Sequence, residues 1–107
     1  MNSDPIERLA REVIRTFRAR GYVYNRPDMC SLLLGQVAEM IQHAARGEDE
    51  RYRNELADVI SIAYQALLVE GKRPGKLVVR RIVRKVLPKA RDGTISAKYR
   101  LQERPRA

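Results

Sequence analysis

The stretch that decides the fold reads Leu32-Leu33-Leu34-Gly35-Gln36-Val37-Ala38-Glu39-Met40-Ile41-Gln42-His43-Ala44-Ala45-Arg46-Gly47. It continues as Glu48-Asp49-Glu50-Arg51-Tyr52-Arg53-Asn54-Glu55-Leu56-Ala57-Asp58-Val59-Ile60. Leu33, Val37, Met40, Ile41 and Ala44 recur at intervals of three and four, and so do Leu56, Val59, Ile60, Ala63 and Leu67. That spacing lines one face of an α-helix. Gly47 between the two runs suits a helix exit. Two helices, over residues 27–46 and 49–70, are therefore expected to fold back as an antiparallel hairpin, the second closed by Gly71. The cluster Glu48-Asp49-Glu50 falls where acidic groups favour a helix N-terminus, and reads as a cap.

Outward from the hairpin, Gly and Pro mark further segments. A first helix is expected over residues 5–20, with Ser3 or Asp4 as cap, Pro5 in the first turn and Gly21 at the exit. The loop 21–26 carries Tyr22 and Tyr24, placed either to stack on a base or to seal the end of the bundle. A fourth helix is expected over residues 76–87, stopped or kinked by Pro88. Val78, Val79, Ile82, Val83 and Val86 are β-branched and suit a strand. However, their spacing opposes Arg80, Arg81, Arg84 and Lys85, which is a helical division of faces. The expected fold is all-α, a four-helix bundle completed by oligomerisation, since helix three is apolar around much of its circumference. Residues 1–91 form the domain; residues 92–107 form a basic, loosely ordered tail.

Composition narrows the function. With 107 residues, 44% apolar and 33% charged, the chain is that of one globular domain. No long uncharged run spans a membrane. Met1-Asn2-Ser3-Asp4-Pro5 lacks the basic start and apolar block of a secretory signal. A lone cysteine, Cys30, makes no disulfide framework, so a cytoplasmic setting is expected. The net charge of +9 is unevenly spread. Residues 1–70 hold 9 Lys/Arg against 11 Asp/Glu, whereas residues 71–107 hold 13 against 2. A near-neutral body with a basic end suggests a polyphosphate or nucleic-acid partner for that end, through residues 72–106. A solvated basic helix has the same composition. There is no Gly-rich phosphate loop, paired-Cys metal spacing or nucleophile elbow.

The hairpin carries the chemistry. Gln36 and Glu39 are three apart, as are Glu55 and Asp58, so each pair shares one helix face. Glu39 and Glu55 are equally far from Gly47, as are Gln36 and Asp58. In an antiparallel hairpin they stand at matching heights, the first pair about 12 Å from the turn at about 1.5 Å per residue. Both pairs flank the apolar faces. Three carboxylates meeting there repel one another unless compensated. A hard cation compensates them, and oxygen-only ligation with retained waters is what magnesium prefers. Charged residues three apart on a helix are also commonly just solvated; the matched offsets are what that alternative does not require.

The runs Leu34-Gly35-Gln36-Val37-Ala38-Glu39-Met40 and Asn54-Glu55-Leu56-Ala57-Asp58-Val59-Ile60 resemble the MazG-type, all-α nucleoside triphosphate pyrophosphohydrolases. That superfamily carries an E-x-x-E pair on one helix and an E-x-x-D pair on the next. The resemblance covers residues 28–91 and implies a MazG-like helical bundle assembled from two or more chains. It further implies a magnesium ion (manganese as a substitute) held by Glu39, Glu55 and Asp58 and gripping a nucleoside triphosphate. Gln36 stands where the first glutamate is expected; its amide offers an oxygen but no charge. The implied activity is hydrolysis between the α- and β-phosphates, giving monophosphate and pyrophosphate. Lys85-Val86-x-x-Lys89 resembles the family's downstream K-L-x-x-N segment, with Lys for Asn. No catalytic base is assigned.

Other residues have two readings each. Arg80, Arg84 and Lys85 are candidate phosphate ligands or simply a solvated helix face. His43, four residues after Glu39, is a partner of the carboxylates, a base, or a surface or interface residue. Cys30, Met29 and Met40 fit the core pattern. The alternative to the hydrolase is a non-enzymatic helical oligomer, homodimeric or larger, that binds nucleic acid through its basic end.

Overall fold

The computed structural model describes residues 4–93. Every regular element among them is helical: α1 (Pro5–Ala19), α2 (Arg26–Ala45), α3 (Asp49–Leu68), α4 (Pro74–Arg81), a π-helical turn (Ile82–Val86) and α5 (Leu87–Asp92). The all-α class is as expected. Residues 76–87 form no strand. None of the described helices is long and apolar enough to cross a membrane. The chain divides into two compact units, residues 1–74 and 75–107. Most of the tail expected over 92–107 lies outside the described residues.

In the first unit, local chemistry sets the helix ends. Asp4 caps α1: its Oδ1 accepts from the Ile6 N–H at 2.9 Å, with Pro5 in the first turn. Asn25 caps α2 by accepting from the Asp28 N–H at 2.9 Å, and donates from its own amide to the Asp28 carboxylate at 2.8 Å. Between α2 and α3, Gly47 takes a φ of +69°, a left-handed conformation that costs other residues far more. Glu48 occupies the cap position of α3, but its side chain makes no capping bond. The expected cap is thus corrected: Asp49 and Glu50 in the first turn supply the favourable charge, and the Glu48 carboxylate is engaged elsewhere.

α2 and α3 pack as the antiparallel hairpin, and α1 packs on α3. Ala10, Ile14 and Leu68 form the buried cluster, with Tyr24, Tyr64 and Val69 against it. Side-chain ties hold α1 there. The Tyr64 hydroxyl donates to Asp4 Oδ2 at 2.8 Å, and Arg73 donates to Glu7 at 3.0 Å. Tyr22 and Tyr24 meet edge-on at 4.9 Å, and Tyr24 donates to Gln65 at 2.9 Å. These tyrosines seal the end of the bundle.

Because α1 lies against one side of α3, every residue from 61 to 69 is buried or half-buried. Within the first unit, the turn-proximal half of α3 packs against α2 and not against α1. This corrects part of the expected core. Ile41, Ala44, Leu56 and Ile60 are exposed, Ile41 at 60%, and so is Cys30. Ile62 is buried.

In the second unit the helix does not stop at Pro88. A regular α-helix would press the proline ring on the carbonyl four residues back. Here the preceding turn widens, and the Leu87 N–H bonds to the Ile82 carbonyl five residues back. A π turn of this kind accommodates the proline within a continuing helix. The helix then runs on to Asp92.

The Asp4–Tyr64 bond makes a pH-dependent prediction. Chiefly through the Tyr64 hydroxyl, then the N–H groups of Ile6 and Glu7, the Asp4 carboxyl is held below its ordinary 3.8. A depressed acid adds stability above its unfolded-state pKa and loses it as the pH falls through its folded-state pKa. Tyr64→Phe is therefore expected to melt lower at pH 7 and to lose less stability than wild type between pH 5 and the acid limit. Thermal melts across that range check this.

Candidate metal centre

The less exposed residues of α2 include Met29, Leu33, Gln36, Met40 and His43, spaced four, three, four and three apart, with Val37 half-buried beside them. On α3 they include Tyr52, Glu55, Val59, Ile62, Ala66 and Val69, at the same alternation. This is the period of helices packed side by side at a shallow angle. In a hairpin turning at Gly47 the rows pass each other with Leu33 level with Ile62, Gln36 with Val59, and Met40 with Glu55. Gln36 and Glu55 thus stand within the seam about one turn apart, between apolar residues and the polar His43 and Tyr52 nearer the turn.

Their burial leaves polar atoms unmatched. Gln36 Oε1 and Glu55 Oε2 are both buried and have no hydrogen-bond partner among the described residues. An unpaired buried oxygen costs roughly 1–3 kcal/mol, so two of them about one turn apart in a seam are a conspicuous defect unless a ligand completes them. Glu39 and Asp58 each lie one position before a seam residue, and both are exposed. In antiparallel helices such positions fall on the same side of the pair, so both carboxylates rim the Gln36–Glu55 level.

Electrostatics tie the acids together. Burial raises the Glu55 carboxyl above its ordinary 4.5; a side-chain hydrogen bond with Glu39 adds to this, followed by the negative charges of Glu39 and Asp58. Glu55 therefore senses the charges of both Glu39 and Asp58. Among the described residues, however, no group of three His, Cys, Asp or Glu side chains is drawn close enough to hold a metal ion.

The geometry adds two participants, one weighed from the sequence and one misread. His43 Nδ1 lies 3.0 Å from Glu48 Oε1, and its Nε2 lies 4.0 Å from Glu55 Oε1. The Glu48 carboxyl is held below its usual range, first by His43 and then by the charge of Arg51. Glu48 thus orients the imidazole towards Glu55. The signal for this was the short span from His43 across Gly47 to Glu48. Arg80, Arg84 and Lys85 belong to the second unit. Arg80 and Arg84 are exposed there, one turn apart, and Lys85 is half-buried. No family model, curated protein or solved structure matches the chain.

An acid whose folded-state pKa is raised binds its proton more tightly in the native state. Stability therefore falls as the pH rises from the ordinary Glu value through the raised one. Glu55→Gln removes that charge while keeping the shape. In EDTA it is expected to melt higher than wild type at pH 7.5, with the gap narrowing towards pH 4.5. A variant that melts lower at both pH values would mean that Glu55 forms a stabilising pair.

Proposed function

We propose that the turn-proximal half of the α2–α3 hairpin binds a divalent cation of the magnesium class together with a nucleoside triphosphate, and hydrolyses it to monophosphate and pyrophosphate. The observation that carries this is the pair of unpartnered buried oxygens, Gln36 Oε1 and Glu55 Oε2, with the Glu39 and Asp58 carboxylates at their rim. The donors are all oxygens, two or three of them charged, which fits a hard cation that keeps several waters. The sequence resemblance of the same four positions points the same way.

In this function Glu39, Glu55 and Asp58 hold the cation and Gln36 contributes a neutral carbonyl oxygen. The bound cation supplies charge neutralisation on the phosphates and a more acidic water. Its positive charge would offset the repulsion among Glu39, Glu55 and Asp58. His43 Nε2 lies 4.0 Å from Glu55 Oε1, with Glu48 fixing the other side of the ring. The exposed apolar row of Leu34 and Ile41 on α2, with the half-buried Val37 between them, lies on the same side of the hairpin as Leu56 and Ile60 on α3. We take this row to be where a second copy docks, making the protein a homodimer; contiguous exposed apolar surface commonly marks such contacts.

Magnesium or manganese is expected to raise the melting temperature, by about 2.7 kcal/mol of stabilisation at a hundred times the Kd. Asp58→Asn should lose most of that shift. Gln36→Glu should melt lower than wild type in EDTA yet respond more to magnesium, and should release pyrophosphate faster from a nucleoside triphosphate. Identical metal responses in all three proteins would dismiss the site.

A second function is favoured by one observation. Lys76, Arg80, Arg81, Arg84 and Arg91 are exposed on the second unit and form no ion pair among the described residues. Such a basic helix can follow a phosphate backbone without reading bases. If it does, binding to DNA or RNA weakens steeply with salt, and replacing Arg80 and Arg84 by Gln lowers the salt slope by about two. Affinity that is insensitive to salt would exclude it.

A further inference from the structure

A cleft of about 570 Å³ opens in the first unit at the end of the hairpin away from Gly47. Its volume is that of a small-molecule site. The floor is apolar, built from the seam residues Met29, Leu33, Ala66 and Val69, with Met29 fully inside. Tyr24 and Cys30 form walls, and Arg18, Asn25, Arg26 and Glu70 form the rim.

Nearly every polar group here is already engaged. The Tyr24 hydroxyl donates to Gln65, whose amide donates to Ser61. Asn25 is paired with Asp28. Arg26 grips Glu70 through two bonds of 2.7 Å, which cancels both charges. Arg18 is the exception. Its guanidinium lies over the Tyr24 ring, 5.6 Å from the centroid, and makes no ion pair among the described residues. Stacking on the ring holds that cation at the rim.

We infer that this cleft binds an organic monoanion with an apolar body, a medium-chain carboxylate in the simplest case. The apolar floor takes the chain and Arg18 takes the carboxylate. A polyphosphate would find one uncompensated cation and the Glu70 carboxylate. A nucleobase would find Arg18 as its one unengaged side-chain donor and no unengaged acceptor to read its edge. The inference stands apart from the hydrolase function, since none of these residues belongs to the acidic cluster.

Cys30 is the chain's only cysteine, its thiol is exposed, and it lines the cleft, so its alkylation reports occupancy. The probes are decanoate, decanol and decyltrimethylammonium, each below the concentration at which it forms micelles. With decanoate at about ten times its Kd, maleimide alkylation of Cys30 should slow about tenfold, as mass action requires. Decanol should protect less and the cationic amphiphile least. Arg18→Gln should reduce decanoate to the level of decanol, and Arg18→Lys should restore part of the difference. Equal protection by all three probes, no protection by decanoate, protection unchanged in Arg18→Gln, or a Cys30 that fails to react without any ligand would each overturn the proposal.

Discussion

Gly47 reverses the chain in a conformation few other residues accept, and so fixes which residues of α2 stand level with which residues of α3. Both helices present their least exposed side chains at a period of three and a half residues. With such a period a shift of a single residue would move Gln36 and Glu55 out of the seam and bring other residues in. Exposed instead, their oxygens would be hydrated, and the carboxylates around them would have no reason to perturb one another. The placing of Gln36 and Glu55 within the seam, and with it the burial that raises Glu55, both follow from the register.

The second constraint is the reach of α1. It covers α3 from Ser61 onward, where Ala10, Ile14 and Leu68 are packed and where Tyr64 and Arg73 tie it down. That half is closed and apolar. Within the first unit α1 does not reach the turn-proximal half, where Glu39, Asp58 and the apolar residues Ile41, Leu56 and Ile60 are exposed. A large cavity-forming loss is expected from Ile14→Ala, about 2–5 kcal/mol, because the closed half supplies the stability that the open half lacks. Stability and candidate chemistry are thereby divided between the two ends of one hairpin.

The three long helices were legible in the sequence because Pro, Gly and the capping residues punctuate clean helical periods. The equal offsets of the acidic pairs from Gly47 are a property of numbering alone, whereas the seam rows place Gln36 level with Val59 and Glu55 level with Met40. The face of each helix was less legible. Ile41, Leu56 and Ile60 share the apolar period with true seam residues, and only the side taken by α1 separates them. Glu48 has the composition of a cap, and its turn towards His43 depends on a side-chain rotamer that no periodicity encodes. The continuation past Pro88 rests on a local π turn, which leaves no mark in a pattern of apolar and basic residues.

The central claim is that the register gathers Gln36, Glu39, Glu55 and Asp58 into one cation site. Paramagnetic broadening by manganese, read residue by residue from an amide spectrum at substoichiometric metal, tests it most directly. The account predicts that broadening centres on those four positions and falls off along both helices, leaving Asp49 and Glu50 at the start of α3 sharp. Broadening centred on Asp49 and Glu50, or spread evenly over the acidic surface, would contradict it.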